Sequence, residues 1–458
     1  MKRLGWMTGL MGTGMVLAGA LPALAEEVAT NVTAAVAATP VPAAAASAVN
    51  SGDTAWVLVS TALVMLMTIP GLAFFYGGLV RKKNVLSVLM QCFFLMCAVS
   101  LQWVICGYSL SFGPDVKGLI GNLDWAFLKN VGLEPNADYA GTIPHQVFMI
   151  FQMMFAVITP GLIIGAFAER MKFSAFVVFM LLWATIVYDP VCHWVWGVGG
   201  FVRKMGALDF AGGTVVHINA GIAALVAALV LGRRLGHPHK LSPPHNLPFA
   251  VMGAALLWFG WYGFNAGSAL AANGLAGSAF VATHVATAVA GLTWAMMDVI
   301  FNRRMTVLGL ISGAVAGLVA ITPAAGFVNV MGSIWIGLGA GVICYMFVSF
   351  VKEKLGYDDA LDAFGVHCVG GIWGALATGL WATTTVNSAG ANGLFYGNPA
   401  QFVIQLKAVA ITVAYSGVIS FVLLKVVDAL IGLRATEQSE RIGLDLTDHR
   451  ETGYTMLD

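Results

Sequence analysis

The chain has 458 residues, of which 59% are hydrophobic and only 10% are charged. Soluble domains carry about a quarter charged residues, so this composition excludes a fully water-exposed surface and requires lipid to cover much of the molecule. The formal net charge of +1 gives no reason to expect a nucleic acid or an acidic partner.

The N-terminal 25 residues have the organisation of a secretory signal peptide. Lys2 and Arg3 precede an apolar run, and Ala23-Leu24-Ala25 supplies the small residues of a cleavage site. The alternative is that this segment remains as an uncleaved first span. The next segment is rich in Ala, Val, Thr and Pro, as in a flexible leader. The predicted division is signal peptide 1–25, outer leader 26–50, transmembrane domain 51–432 and cytoplasmic tail 433–458.

Apolar stretches of about 20 residues then recur along the chain, each long enough to cross a hydrocarbon core of about 30 Å as a helix. They predict an all-α membrane protein with eleven transmembrane helices, arranged as a 5+5 inverted repeat plus one C-terminal helix. The predicted spans are 54–79, 84–110, 143–168, 173–197, 212–232, 247–269, 277–301, 306–323, 329–351, 362–383 and 402–432.

The positive residues of the loops predict the orientation. One set of alternate loops, together with the tail, holds fifteen Lys and Arg residues, whereas the opposite set holds only Lys117, Lys129, Arg203 and Lys204. Because Lys and Arg are enriched in cytoplasmic loops, the mature N-terminus should lie outside and the C-terminus inside. A cleaved signal peptide requires the same orientation.

A short motif repeats at the start of the fifth and tenth spans. The first copy is Leu208-Asp209, whose aspartate precedes His217 by eight residues. The second copy is Leu361-Asp362, whose aspartate precedes His367 by five residues. An offset of five spans gives the two halves opposite topology, as in transporters built from inverted repeats. Ionisable residues inside a membrane are costly, so both histidines are functional candidates. The alternatives are a structural bridge between helices or a metal site, which would need three or four ligands.

Two facing imidazoles suit a small polar guest. Each neutral ring has one donor and one acceptor nitrogen. Two neighbouring rings can share a proton and then titrate as a unit. The pair therefore favours ammonia, or a proton passed along it, over a large solute. Asp209 can cap the incoming helix and also provide a fixed negative charge near a cation site.

Aromatic residues gather near the predicted outer side. Trp194 and Trp196 follow the fourth span, and they form either an interfacial belt or a cation site, since aromatic faces attract cations. Phe155 and Phe264 could stack as an apolar plug that stops hydrated ions.

Four segments resemble the bacterial Amt ammonium transporters, and the resemblance covers residues 52–455. They are Phe74-Phe75-Tyr76-Gly77-Gly78-Leu79, Ala207-Leu208-Asp209-Phe210-Ala211-Gly212-Gly213-Thr214-Val215-Val216-His217-Ile218-Asn219, Gly260-Trp261-Tyr262-Gly263-Phe264-Asn265-Ala266-Gly267-Ser268 and Asp362-Ala363-Phe364-Gly365-Val366-His367.

The resemblance implies a homotrimer in the bacterial inner membrane, with one pore per subunit, that takes ammonium or methylammonium. It implies no enzyme activity, cofactor or metal, and a PII-type signalling protein as partner of the tail at the cytoplasmic face of the bilayer. The implied site comprises an outer recruitment site of Trp196, Phe155, Ser268, Asp209 and Ala211, a gate of Phe155 and Phe264, and a pore lined by His217, His367, Trp261 and Tyr76. Trp194 remains an alternative to Trp196 at the outer site.

Rival functions differ in what they need. A membrane-embedded enzyme would use the histidines as acid–base groups, but no nucleophile or metal set lies beside them in the sequence. A sensor would bind ammonium and signal through its tail. A gas channel of the related Rhesus type is a closer rival, although Ser268 and the tryptophans favour the Amt pattern.

Overall fold

The computed structural model of the protein describes residues 49–239 and 242–454. The predicted signal peptide and the predicted leader up to residue 48 lie outside the described residues. The described chain is mostly helical, and loops join the helices at their two ends.

Ten helices of the described chain are long and apolar enough to cross a membrane. They match the predicted spans within a few residues, which confirms the all-α membrane fold. They are α1 (Ser51–Leu79), α2 (Lys82–Phe112), α3 (His145–Phe167), α4 (Phe173–Lys204), α5 (Gly213–Leu231), α6 (Leu247–Ala269), α7 (Gly274–Asn302), α9 (Val330–Leu355), α10 (Phe364–Trp381) and α11 (Pro399–Ile431).

The predicted eighth span corresponds to a shorter apolar helix, α8 (Val307–Ile321). Its 15 residues reach about 22 Å at 1.5 Å per residue, which is less than a hydrocarbon core of about 30 Å. The helix is largely buried against its neighbours. The total of eleven spans therefore stays a prediction.

Polar caps fix where several helices begin. The side chains of Asn50, Asn246, Asn273, Thr306 and Asn329 each accept a hydrogen bond from the backbone N–H three residues later. Such caps satisfy N–H groups that the first turn of a helix leaves without partners. They explain why the boundaries of these helices lie close to the places that hydropathy predicts.

Two small antiparallel hairpins interrupt the helical pattern in the loop between α2 and α3. They pair β1 (Asp115–Val116) with β2 (Ile120–Gly121) and β3 (Pro135–Asn136) with β4 (Ala140–Pro144). The hydropathy pattern did not predict them because each strand is too short to show an alternation. The first hairpin lies against the end of α4: the N–H of Phe201 donates to the carbonyl of Gly118 at 3.1 Å.

The tail forms two short helices, α12 (Glu437–Ile442) and α13 (Leu444–His449), that lie across the basic loops. Glu440 accepts hydrogen bonds from Arg434 and from the N–H of Leu235. Asp445 accepts from the N–H of Ser87, and Asp448 accepts from the N–H of Phe173. The loops after α1, α3 and α5 therefore lie on the same side of the molecule as the tail.

Candidate functional site

The two histidines meet at matching places in the fold. α5 begins with a π-helical turn, Gly213–Ile218, and α10 begins with another, Phe364–Cys368. His217 and His367 lie in these turns, and both side chains are buried. Their ring centroids are 5.5 Å apart and the ring planes differ by only 11°. π-turns inside helices are frequent at functional sites.

Asp209 caps the first of these turns, as the sequence predicts. Its carboxylate accepts from the N–H groups of Gly212, Gly213 and Thr214 at 2.6–2.8 Å. The hydroxyl of Thr214 donates to the same group. Gly212 lies at φ +117°, a conformation that favours glycine, and this lets the chain turn back over the carboxylate.

In the second half of the repeat, Asp359 occupies the place that Asp209 has in the first half. The prediction that Asp362 is the equivalent residue is wrong. Asp359 accepts from the N–H groups of Ala363 and Phe364 at 3.1 and 2.7 Å. Asp362 instead forms an ion pair with Lys352. Asp359 precedes His367 by eight residues, the same spacing that separates Asp209 from His217. That spacing was the signal in the sequence that could have identified it.

The expected proton-sharing hydrogen bond between the histidines is absent from the described chain. Neither ring nitrogen of His217 has a hydrogen-bond partner there, and Nδ1 of His367 has none either. The Oη of Tyr76 lies 3.5 Å from Nε2 of His367, a long contact, and donates to the carbonyl of Leu162 at 3.1 Å. Burying polar atoms without hydrogen-bond partners is costly, so these ring nitrogens favour a guest molecule that supplies the missing hydrogen bonds.

Aromatic rings enclose the pair on one side. Trp261 stacks on His217 with centroids 5.4 Å apart, and its Nε1 donates to the hydroxyl of Thr322. Phe264 lies 6.0 Å from His217 and 4.3 Å from Phe155, centroid to centroid. Phe155 and Phe264 are both 1% exposed, so the ring pair is buried beside His217.

The outer aromatic residues separate clearly. Trp196 meets Phe155 edge to face at 5.8 Å, and its Nε1 donates to the carbonyl of Asp209 at 2.9 Å. Trp194 turns away from that ring: its Nε1 donates to the carbonyl of Leu119, and its indole packs on Tyr415. The geometry therefore places Trp196 beside the phenylalanine pair.

The remaining predicted outer residues connect to this group through the backbone. The hydroxyl of Ser268 donates to the carbonyl of Phe264 at 2.8 Å. Ala211 is fully buried in the turn that follows Asp209. No described contact joins Ser268 or Ala211 directly to Trp196.

Two cavities meet at His367. The first cavity is narrow, with a volume of about 10 Å³. Apart from the two histidines it is apolar, and its lining includes Trp261, Phe264 and Leu257. The second cavity, of about 290 Å³, has a mixed polar lining that includes Tyr76 and Asp298. A small guest that reaches the histidines from the narrow cavity therefore has a wider polar space beyond them.

A buried ionic cluster near Asp359 was not predicted from the sequence. Arg234 pairs with Glu169 at 3.2 Å and with Asp358 at 2.8 Å, and Arg81 pairs with Glu169 at 2.9 Å. Arg170 donates to the backbone carbonyl of Asp358. These contacts fix the residue directly before Asp359, and so they position the start of α10.

The pKa values in this cluster follow from burial and charge. Burial raises the pKa of Glu169 and of Asp358, but the hydrogen bonds and positive charges of the arginines outweigh it, and both pKa values lie below the ordinary range. Asp359 is different, since burial and the nearby charge of Asp362 outweigh the effect of Lys352 and raise its pKa to about 6.

A family model described as Ammonium Transporter Family matches residues 55–454. The chain belongs to this family. An ammonium transporter of Bacillus subtilis is 54% identical over 403 residues, which cover 88% of this chain and 98% of that protein. The ammonium transporter Amt1 of Archaeoglobus fulgidus is 48% identical over 407 residues, covering 89% of this chain and all of that protein.

Solved structures of this family have the same fold. The crystal structure of Saccharomyces cerevisiae Mep2 superposes with a TM-score of 0.80 at 35% identity, covering 85% of this chain and 88% of Mep2. A structure titled Sensor Amt Protein reaches the same TM-score at 29% identity, covering 87% of this chain and 98% of that chain. The match to family members extends over nearly all of the described residues.

Proposed function

We propose that this protein transports ammonium: it recruits the ion at Trp196, Phe155 and Ser268, removes its proton and conducts ammonia past His217 and His367. The observation that carries the proposal is the stacked histidine pair in a narrow, otherwise apolar cavity, with three ring nitrogens that have no hydrogen-bond partner among the described residues. Membership of the ammonium transporter family supports the choice of substrate.

The energetics explain why the proton must leave. A charged group at the centre of a membrane costs at least about 2.5–3.5 kcal/mol on insertion scales. Ammonia is neutral and avoids that cost. It can donate to one imidazole nitrogen and accept from another, so the unpartnered nitrogens replace its hydration.

Recruitment depends on the outer aromatic group. The face of an aromatic ring attracts a cation by about 0.5–2 kcal/mol, more as water is removed. Trp196 and Phe155 lie next to each other, edge to face, and the backbone carbonyl of Asp209, which accepts from Nε1 of Trp196, adds partial negative charge beside the indole. Asp209 is not the base that accepts the proton, because its oxygens are already occupied by hydrogen bonds.

The proton has two possible routes, back to the outside or through the histidine pair. No hydrogen bond joins His217 to His367 in the described chain. Transfer between them therefore needs a guest molecule or a water that bridges the rings. Current measured in a bilayer distinguishes the routes, because an uptake without ammonium-dependent current would exclude net charge movement.

The location, orientation and assembly of the transporter are proposed from the charges of its loops and from its family. The excess of Lys and Arg in the loops under the tail supports a cytoplasmic tail and a bacterial inner membrane location. We further propose that α8 completes eleven spans, that three copies assemble with one pore each, that methylammonium is also carried, and that the tail can contact a PII-type signalling protein.

The test replaces both pore histidines. We expect His217→Leu/His367→Leu to lose selective methylammonium uptake into proteoliposomes, because the cavity then has no polar group to replace the hydration of ammonia. His284→Leu is the matched control: His284 also lies in a membrane helix, but it contacts Tyr262 away from the pore. Normal selective uptake by the double variant would refute the proposed mechanism. Faster passage of carbon dioxide than of methylammonium in the unmodified protein would favour a gas channel.

A further inference from the structure

A further buried histidine lies outside the pore, one turn before Trp196 on the same helix segment. His193 belongs to Asp189–Trp196, the outer part of α4, and is fully buried. The proposed transport mechanism does not use it. Its two ring nitrogens both have partners, and the chemistry of those partners restricts the protonation of the ring.

Both hydrogen-bond partners of the His193 ring are acceptors. Nδ1 of His193 lies 3.0 Å from the backbone carbonyl of Ser111, which has no hydrogen to donate. Nε2 lies 3.0 Å from Oδ1 of Asp115. Each nitrogen must therefore carry a hydrogen, unless Asp115 is itself protonated.

Asp115 is held in its ionised form by its surroundings. Its Oδ1 also accepts from the N–H of Gly118 at 2.7 Å, and Nζ of Lys204 lies 3.8 Å from Oδ2. Burial raises the pKa of Asp115, but the hydrogen bonds of His193 and Gly118 and the charge of Lys204 together outweigh it, so the pKa lies below its ordinary value. An ionised Asp115 leaves the imidazolium as the form of His193 that satisfies both contacts.

The pair holds the turn that ends the Trp196 helix. A Cβ on Gly197 would come within 2.6 Å of Nδ1 of His193, and one on Gly199 would come within 2.4 Å of Cβ of Asp115. The turn thus packs directly on both members of the pair. Its chain continues to Phe201, which bonds to the hairpin that carries Asp115.

Trp196 itself is attached to this turn. Its carbonyl accepts from Arg203 at 2.7 Å, and the next residue but one, Val198, donates its N–H to the hydroxyl of Tyr139. Loss of the imidazolium proton turns one ring nitrogen into an acceptor that faces either the carbonyl of Ser111 or the carboxylate of Asp115, so one of the two contacts breaks. The turn would then lose one of the links that hold the backbone of Trp196 in place.

We propose that His193, as an imidazolium paired with Asp115, is a positioning residue for the outer ammonium site and makes recruitment by Trp196 dependent on external pH. This rests on the proposed function, because it assigns the role of Trp196 to recruitment. The titratable and charged groups around the ring are Asp115 on β1, Lys204 and Arg203 at the end of α4, Tyr139 in the outer loop and Asp189 one turn earlier, which shares Ser111 with His193.

The test compares the pH dependence of uptake in matched variants. Methylammonium uptake into proteoliposomes is measured over external pH from about 5 to 9, a range that includes ordinary histidine titration. In the unmodified protein the half-saturation concentration should rise about fivefold toward high pH with little change in maximal rate, since hydrogen bonds to charged groups contribute more than neutral ones.

Asp115→Asn should flatten this dependence. An amide can accept from the imidazolium through its oxygen or, turned over, donate to the neutral ring through its nitrogen. Lys129→Gln is the control, because Lys129 is an exposed lysine of the same outer loop with no described contact to His193 or Asp115, so its profile should follow that of the unmodified protein. The protonation of methylammonium itself changes equally in all three proteins and cancels in the comparison.

A direct measurement covers the case in which a variant does not fold. Nitrogen-15 spectra of the histidine-labelled unmodified protein, assigned by difference from His193→Gln, should show both ring nitrogens of His193 carrying hydrogen near pH 6. A singly protonated ring, or an Asp115→Asn profile as steep as that of the unmodified protein, would overturn the inference. Failure of all uptake in the unmodified protein would count against the proposed function, and the spectra would still decide the state of His193.

Discussion

Asp209 and His217 lie eight residues apart, but the side chain of Asp209 has hydrogen-bond partners whereas that of His217 has none within the described chain. The carboxylate of Asp209 is satisfied by backbone N–H groups and by Thr214, so it holds a turn. His217 is equally buried, yet both of its ring nitrogens lack partners within the described chain. A buried polar group that is left unsatisfied is expensive, so the difference separates a structural role from a ligand-binding one.

The two tryptophans of the outer segment give a residue-scale prediction. Trp196→Leu should raise the half-saturation concentration for methylammonium about tenfold, because it removes the ring beside Phe155 that would attract the cation. Trp194→Leu should leave that concentration within about twofold, since Trp194 contacts Leu119 and Tyr415 instead. Initial rates of uptake at a series of concentrations measure both. An equal effect of the two substitutions would contradict the assignment of Trp196.

At the scale of elements, hydropathy was sufficient to locate the membrane helices but not to align the two halves. Each long helix has an apolar run of about the length needed for a span, and the capping residues Asn246, Asn273 and Asn329 mark several starts. The pairing of halves failed because Asp362 follows a leucine as Asp209 does, whereas the capping bonds belong to Asp359. The spacing of eight residues from Asp359 to His367, which matches that from Asp209 to His217, was the better signal, but hydropathy does not register it.

The site was predicted in parts for similar reasons. Sequence identified His217 and His367 because a polar residue in an apolar span stands out. It gave no hint of the cluster around Arg234, since the cluster joins loops that are far apart in the chain. The missing bond between the histidines was also unpredictable, because it depends on the ring orientations, which the packing of Trp261 and Phe264 helps to fix.

The cap of α10 gives an element-scale prediction. Asp359→Asn removes one of the two oxygens that accept from the start of the helix and leaves a buried N–H group unsatisfied, at a cost of about 1–3 kcal/mol. We expect a lower maximal uptake rate, because His367 then loses its fixed position, with little change in half-saturation. Asp362→Asn is the control: its pair with Lys352 is partly exposed and should contribute about 1 kcal/mol or less. Equal loss in both variants would refute the role of Asp359.

At the scale of the whole molecule, polar contacts at the two ends of the bundle differ in kind. On the side of the tail, Arg234 joins the loops after α3 and before α10, and Glu440 of the tail binds the residue after Arg234. On the opposite side, a hairpin is held through His193 and Asp115. In the pathway that we propose, the outer end carries a pair that includes a histidine, and the inner end carries carboxylates that are paired with arginines. The two ends should therefore respond to pH in different ranges.

The inner cluster gives the prediction for global stability. Glu169 and Asp358 have folded pKa values below those of the unfolded chain. The stability that they provide is therefore fully present above about pH 4, the ordinary carboxyl range, and is lost as pH falls through the folded values.

Arg234→Gln leaves both carboxylates without their shared partner, which should cost about 3–5 kcal/mol near neutral pH. It should also raise both pKa values toward the ordinary range, more for Asp358 than for Glu169, which keeps Arg81, so mild acid should destabilise this variant less than the unmodified protein. Thermal unfolding of the detergent-solubilised protein between about pH 3 and 8 measures this. Arg441→Gln, which breaks the exposed pair with Glu437, should shift stability by less than about 1 kcal/mol at every pH. A parallel pH profile for the Arg234 and Arg441 variants would show that the buried cluster does not set the acid stability.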